Sequence, residues 1–188
     1  VAAAKMMKKL MEYMPEDALD YDFDKANTAF SQGNSAYTIN WNAYMPAVLD
    51  AGSSKVTDKV AFCGTPGGPE GRYSALGGWV QGISSQSKNK DAAFQLVQYI
   101  SGKDRGVEFA LNGGSVGRIS TANDPKVVEK YSFYPLLMDV LKGYTGFGVY
   151  RPWPEIEKTM ETYFHKVMLG GDPEKTLLEG AQQVWVQA

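Results

Sequence analysis

The sequence predicts a helix-rich α/β fold, and three observations carry that reading. Apolar residues recur at helical spacing in several segments, from residues 3–14 to residues 177–184. SAYTINW (residues 35–41) is β-branched and aromatic, the signature of a strand, and KVAFCGTP and ALGGWVQGIS read as two more. No stretch repeats another. With 188 residues, 44% hydrophobic and 21% charged, the chain suits one ordinary domain with a real core, and neither a disordered nor a fibrous protein.

The elements follow in order. Ala3, Met7, Leu10 and Met14 form a helical stripe opposite Lys5, Lys9 and Glu12, and Pro15 closes the segment. Met6, Met7, Met11 and Met14 read as core filler. Asp22 is placed to cap a second helix, carrying Phe23, Ala26 and Phe30 and stopping at Gly33. After the SAYTINW strand, a short helix over residues 43–51 holds Pro46 in its first turn, where proline is tolerated. The turn TPGGPEG breaks the second strand, and ALGGWVQGIS follows it.

Asn89 opens a helix with Ala93, Leu96, Val97 and Ile100 on one face, ended by Gly102. Another runs from Lys103 to the glycines after Asn112. Beyond the loop GGSVGRIS, a short helix spans residues 124–131. The next starts near Phe133, with Tyr131 and Leu136 as a hydrophobic staple around Ser132. The loop GYTGFGVYRPWP (residues 143–154) packs four aromatics, three glycines and an arginine into twelve residues. In the last two helices, Ile156, Met160, Tyr163 and Val167 form one stripe, and Leu177, Ala181 and Val184 the other. GGDP separates them, with Gly170 as stop, Asp172 as cap and Pro173 at the first helical position. Trp185 lies beside its stripe and reads as packing or lobe contact.

Several classes of function are disfavoured. A net charge of −2 with scattered basic residues gives no pull toward nucleic acid, and Lys5, Lys8 and Lys9 read as the polar face of a helix. No apolar run reaches the roughly 18 residues that span a bilayer. The sequence starts at Val1 inside a helical pattern, as a fragment or processed product would, so the missing leader does not argue for the cytoplasm. Cys63, the single cysteine, excludes an internal disulfide and a multi-cysteine metal site. His165, the single histidine, falls opposite its helix's apolar stripe, one turn after Glu161, as a solvated residue. The carboxylates of YMPEDALDYDFD miss the calcium-loop spacing. GTPGGPEG lacks the Gly-Lys-Ser/Thr ending of a phosphate loop, and no G-x-S-x-G elbow is present. Glu70 and Glu155 could serve a glycosidase only if they faced one sugar site, which no spacing supports.

Three phrases in register resemble the C-terminal half of an extracellular solute-binding protein, the receptor of a bacterial sugar ABC importer. They are NTAFSQGNSAYTINWNAY, then LGGWVQGISSQSKNKDAAFQLVQYISGKDRGVEFALNGGSVGRIS, then RPWPEIEKTMETYFHKVMLGGDPEKTLLEGAQQV. One departure is Val116–Gly117, where many relatives carry a proline before the arginine.

The resemblance implies a periplasmic-binding-protein-like fold of type II, with two α/β lobes and a ligand cleft between them. It would place residues 1–59 in the C-terminal lobe, have 60–114 cross over and complete the N-terminal lobe, and return 115–188 to the C-terminal lobe. It implies an N-terminal half outside this sequence, a periplasmic or extracellular location with a possible lipid anchor, an ABC permease as partner, no cofactor and no catalysis. Exposed lobe surface would invite dimerisation. A sugar offers an apolar C–H face and a rim of hydroxyls, so its receptor needs flat aromatic platforms and a few fixed polar groups. Trp41, Trp79 and Trp153 fit the platforms, with Tyr44, Phe147 and Tyr150 in reserve. Arg118, Arg151, Asn40, Asn42 and the backbone of Gly77 and Gly78 fit the hydroxyl contacts. Trp79 equally suits a strand core, since a glycine pair also lets sheets pack closely. The alternatives are the same fold around a polyamine, peptide or anion, and a carbohydrate-active enzyme.

Overall fold

The computed structural model describes residues 1–146 and 153–187. Their contacts divide the chain into two compact units, Val1–Thr28 with Gly148–Ala188, and Ala29–Phe147.

The first unit is helical. α1 (Ala2–Leu10) packs on α9 (Trp153–Met168), and α9 packs along α10 (Pro173–Gln187). Ala4, Ile156 and Val167 are its buried apolar residues. The α9–α10 pair approaches closely through Gly180, where an added Cβ would lie 2.8 Å from the Tyr163 ring. The GGDP link behaves as its residue types require. Gly170 has φ +113°, Asp172 Oδ1 accepts from Lys175 N at 2.8 Å, and Pro173 starts α10. Lys5 Nζ pairs with Glu174 at 2.9 Å on the surface.

α2 (Phe23–Ser31) is capped by Asp22, whose Oδ1 accepts from Lys25 N at 2.8 Å, and it stops where Gly33 takes φ +83°. In the second unit a 3₁₀ turn, Asn42–Tyr44, leads into α3 (Met45–Val48). β1 (Ser74–Leu76) then precedes α4 (Lys90–Ile100), α5 (Lys103–Leu111), α6 (Ile119–Ala122), α7 (Pro125–Lys130), α8 (Tyr134–Val140) and β2 (Tyr144–Gly146). The two strands pair in parallel, Ser74 opposite Tyr144 and Leu76 opposite Gly146. The core gathers Ala110, Ala122, Val127, Tyr131, Phe133 and Tyr134 from α5 to α8. Phe133 and Tyr134 stack at 4.6 Å, and Phe62 reaches Phe133 at 5.4 Å. Gly106 faces Thr121 so closely that a Cβ would sit 2.6 Å from its hydroxyl, which brings α5 onto α6.

Several expectations are corrected. Residues 35–41 and 59–66 form no strand, and of the third run only Ala75 and Leu76 are paired, at the end of β1. A strand is stabilised by its ladder, and these runs find no neighbour among the described residues beyond β2. The methionine stripe of α1 is not core: Met6, Met7 and Met14 are exposed, and the helix turns Ala4 inward instead. Trp185 is exposed, so it does not pack on its own helix pair. Ala181 is exposed as well, because the α9–α10 contact runs through Gly180. The face expected on α4 is only half-buried at Ala93 and Val97, and Leu96 and Ile100 are exposed. α8 is entered from Phe133 as N-cap, within an aromatic cluster with Tyr131 and Tyr134, and not from Ser132. α6, which was not expected, is begun by Arg118.

Candidate functional site

Trp41 is held by its own neighbours. It is the N-cap of the 3₁₀ turn, with extended backbone, and its N–H donates to Asn40 Oδ1 at 2.8 Å. Its ring is about half exposed and leans on Tyr44, 6.4 Å between centroids at 32°. Together the two rings make a tilted aromatic surface. Asn42 Nδ2 donates to Ser115 Oγ at 3.3 Å, which ties this turn to the GGSVGRIS loop.

That loop is anchored from below. Val116 packs on the core, and the Tyr134 hydroxyl donates to Gly114 O at 3.3 Å. A Cβ on Gly114 would overlap the Phe109 ring at 2.2 Å, so the backbone there lies against a side chain that leaves no room. Burial pushes the Tyr134 phenol above its ordinary range, with the neighbouring Tyr131 adding to the effect.

Trp79 stands in water: 98% of its surface is exposed, and Val80 follows it at 94%. Gly77 and Gly78 before it are exposed, and a Cβ on Gly78 would meet nothing within 4 Å. Neither glycine has a positive φ, so the pair is not required by backbone conformation. What the absent side chains leave is a bare main chain beside a projecting indole.

Arg118 donates from Nη2 to Ser101 O at 3.1 Å, and Ser101 Oγ donates to Gln81 Oε1 at 3.1 Å. The Trp79 segment, Arg118 and the Asn42 turn are therefore linked through Ser101, Ser115 and the loop between Gly113 and Arg118. Ser101, Ser115 and Gln81 are the residues that sequence reasoning missed; serine and glutamine are too common on surfaces to stand out. Trp153 begins α9, half-buried, in the first unit. Arg151, Phe147 and Tyr150 lie outside the described residues.

Among the described residues no group of three or more His, Cys, Asp or Glu side chains is placed to hold a metal ion. A shallow depression lined by Gln98, Tyr99, Gly102, Asp104 and Arg105 has the Arg105 guanidinium over the Tyr99 ring at 4.6 Å. Its hydrogen bond to Glu108 holds that guanidinium above its ordinary range. Desolvation, then the nearby Cys63, pushes the Tyr37 phenol up. Among the described residues no helix is long and apolar enough to cross a membrane.

Residues 1–105, more than half of the chain, match the family described as bacterial extracellular solute-binding protein. The chain belongs to that family. A probable amino-acid ABC transporter periplasmic-binding protein of Sinorhizobium fredii is 30% identical over 161 residues, covering 84% of this chain and 36% of the relative. A probable ABC transporter-binding protein of Deinococcus radiodurans is 30% identical over 128 residues, 67% of this chain and 30% of its own length. Among solved structures, maltose-bound MalE3 of T. maritima superposes with a TM-score of 0.91 at 25% identity, over 100% of this chain and 50% of that one. A ribitol complex of an ABC transporter solute-binding protein from Agrobacterium radiobacter gives 0.83 at 26%, over 97% and 48%. The fold is thus that of the periplasmic solute-binding proteins, and this chain spans about half the length of those structures and about a third of the curated relatives.

Proposed function

We propose that this chain is part of the substrate-binding component of an ABC importer, which captures a sugar or oligosaccharide and closes around it for delivery to the permease. The observation that carries the reading is the projecting indole of Trp79 beside a side-chain-free backbone. An aromatic this exposed gains nothing from the fold, whereas the C–H face of a sugar would bury it. The tilted Trp41–Tyr44 surface supplies a second platform, and Arg118 and Asn42 supply polar edges. By the resemblance alone, Trp153 and Arg151 are further candidates for ligand contact. The likeness to maltose-bound and ribitol-bound structures supports a polyhydroxylated ligand.

In this reading residues 1–59 and 115–188 serve the C-terminal lobe and 60–114 the N-terminal lobe, in a periplasmic or extracellular receptor that a lipid could anchor. The mechanism is closure without chemistry: a ligand bridging two lobes shifts an open–closed equilibrium that the permease reads. A relative named for amino acids favours a second reading, the same fold around a small charged solute. A carboxylate would call for a guanidinium fork, and Arg118 already directs one arm to Ser101 O.

Calorimetry on the receptor that contains this chain, against sugars, polyols, amino acids and polyamines, tests the proposal. Heat from at least one sugar, and none from the amino acids and polyamines, is the expected result. Binding confined to amino acids or polyamines would move the ligand class and leave the receptor assignment in place.

A further inference from the structure

We infer that Ser101 is a positioning residue that fixes Arg118 and the Trp79 segment relative to each other, an inference that rests on the ligand reading above. Residues 77–84 carry no strand ladder, so nothing periodic holds Trp79 in one place. The tie comes two residues later, where Gln81 Oε1 accepts from the Ser101 hydroxyl. The carbonyl of the same serine accepts from Arg118 Nη2. One small residue thus meets the tryptophan segment with its side chain and the arginine with its main chain.

Ser101 is itself well fixed. It is the C-cap of α4, and its N–H donates to Val97 O at 2.9 Å. Gly102 behind it begins α5, and a Cβ there would lie 3.0 Å from Gln98 O, so the corner between the two helices is tight. Arg118 is fixed from the other side. Its carbonyl accepts from Ala122 N at 3.1 Å at the start of α6, and Thr121 and Ala122 are buried. Ser101 therefore stands between the α4–α5 corner and a rooted arginine, and its hydroxyl is the part that reaches a segment with no strand ladder. Asn42 to Ser115 is the parallel tie from the Trp41 turn.

The consequence is that removing one hydroxyl loosens the platform. A hydrogen bond of this kind corresponds to about a two- to tenfold change in an equilibrium constant. The test uses the receptor labelled with 5-fluorotryptophan, with the Trp79 resonance assigned from Trp79→Phe. Ser101→Ala is expected to shift and narrow the Trp79 signal, to leave the Trp185 signal in place, and to weaken maltose binding two- to tenfold with little change in melting temperature. Ser101→Thr, which keeps the hydroxyl, restores both. Gln81→Leu gives the same loss, and combining it with Ser101→Ala adds nothing further, as two halves of one contact require.

An unmoved Trp79 signal in Ser101→Ala overturns the inference whether or not any sugar binds. Unchanged maltose affinity in a Ser101→Ala receptor whose parent binds maltose overturns it too, and leaves the sugar-receptor reading standing. A parent protein that binds no sugar in the panel ends that reading instead, and the fluorine signal still decides whether Ser101 holds Trp79.

Discussion

An indole with 98% of its surface in water contributes nothing to the stability of the chain that carries it. Trp79→Ala is accordingly expected to change the unfolding free energy by no more than about 0.5 kcal/mol, as at other surface sites, in urea denaturation. Tyr134 is the opposite case, 1% exposed with its hydroxyl on Gly114 O. Burial penalises the tyrosinate, so the folded chain keeps a proton that the unfolded chain releases near pH ~10. Its contribution is whole below that pH and is lost as the pH climbs through the higher folded value. Stability should fall in that alkaline window, and the fall should shrink in Tyr134→Phe. Which tryptophans are exposed was only half legible in the sequence. Trp79 was left open between core and platform, and Trp185, read as packing or lobe contact, is exposed. Helical periodicity assigns a face and not what covers it.

At the scale of elements, the helices were legible because their punctuation is local. Asp22, Gly33, Asp124, Gly170 and Pro173 each do what their side chain or backbone dictates, and Asp124 Oδ1 accepts from Lys126 N at 2.9 Å. Strands were not, since a ladder depends on a neighbour that the run itself does not contain. SAYTINW has the right residues, and no strand pairs with it among the described residues. Gly180 was also opaque: a glycine inside a helix reads as a cost of about 1 kcal/mol against alanine. Here a Cβ would meet the Tyr163 Cβ and ring at 2.8–3.1 Å, close to that residue's own backbone, where it cannot swing aside. Gly180→Ala is therefore expected to destabilise the α9–α10 pair by roughly 1 kcal/mol, overpacking at ~1–3 kcal/mol outweighing the propensity gain. A rise in urea midpoint would show that the helices can move apart freely.

For the whole molecule, exposed apolar surface is the telling quantity. Leu76, Trp79, Val80, Phe109 and Ile119 all stand in water. α4 has no buried residue although it carries Phe94, Leu96, Tyr99 and Ile100. Surfaces of this kind associate, so the 188-residue chain alone is expected to form dimers or larger species in light scattering, and to bind sugar more weakly than the longer receptor. A monodisperse monomer with receptor-like affinity would contradict both. The family was legible from three phrases in register, and residues 1–105 match its model.

The most direct test of the account is a calorimetric titration of the receptor containing this chain with a sugar panel that includes maltose and ribitol, beside its Trp79→Ala variant. The account predicts sugar binding in the parent and a loss of roughly tenfold or more in the variant, as removal of a central aromatic anchor gives. Equal affinity in the two proteins would contradict it.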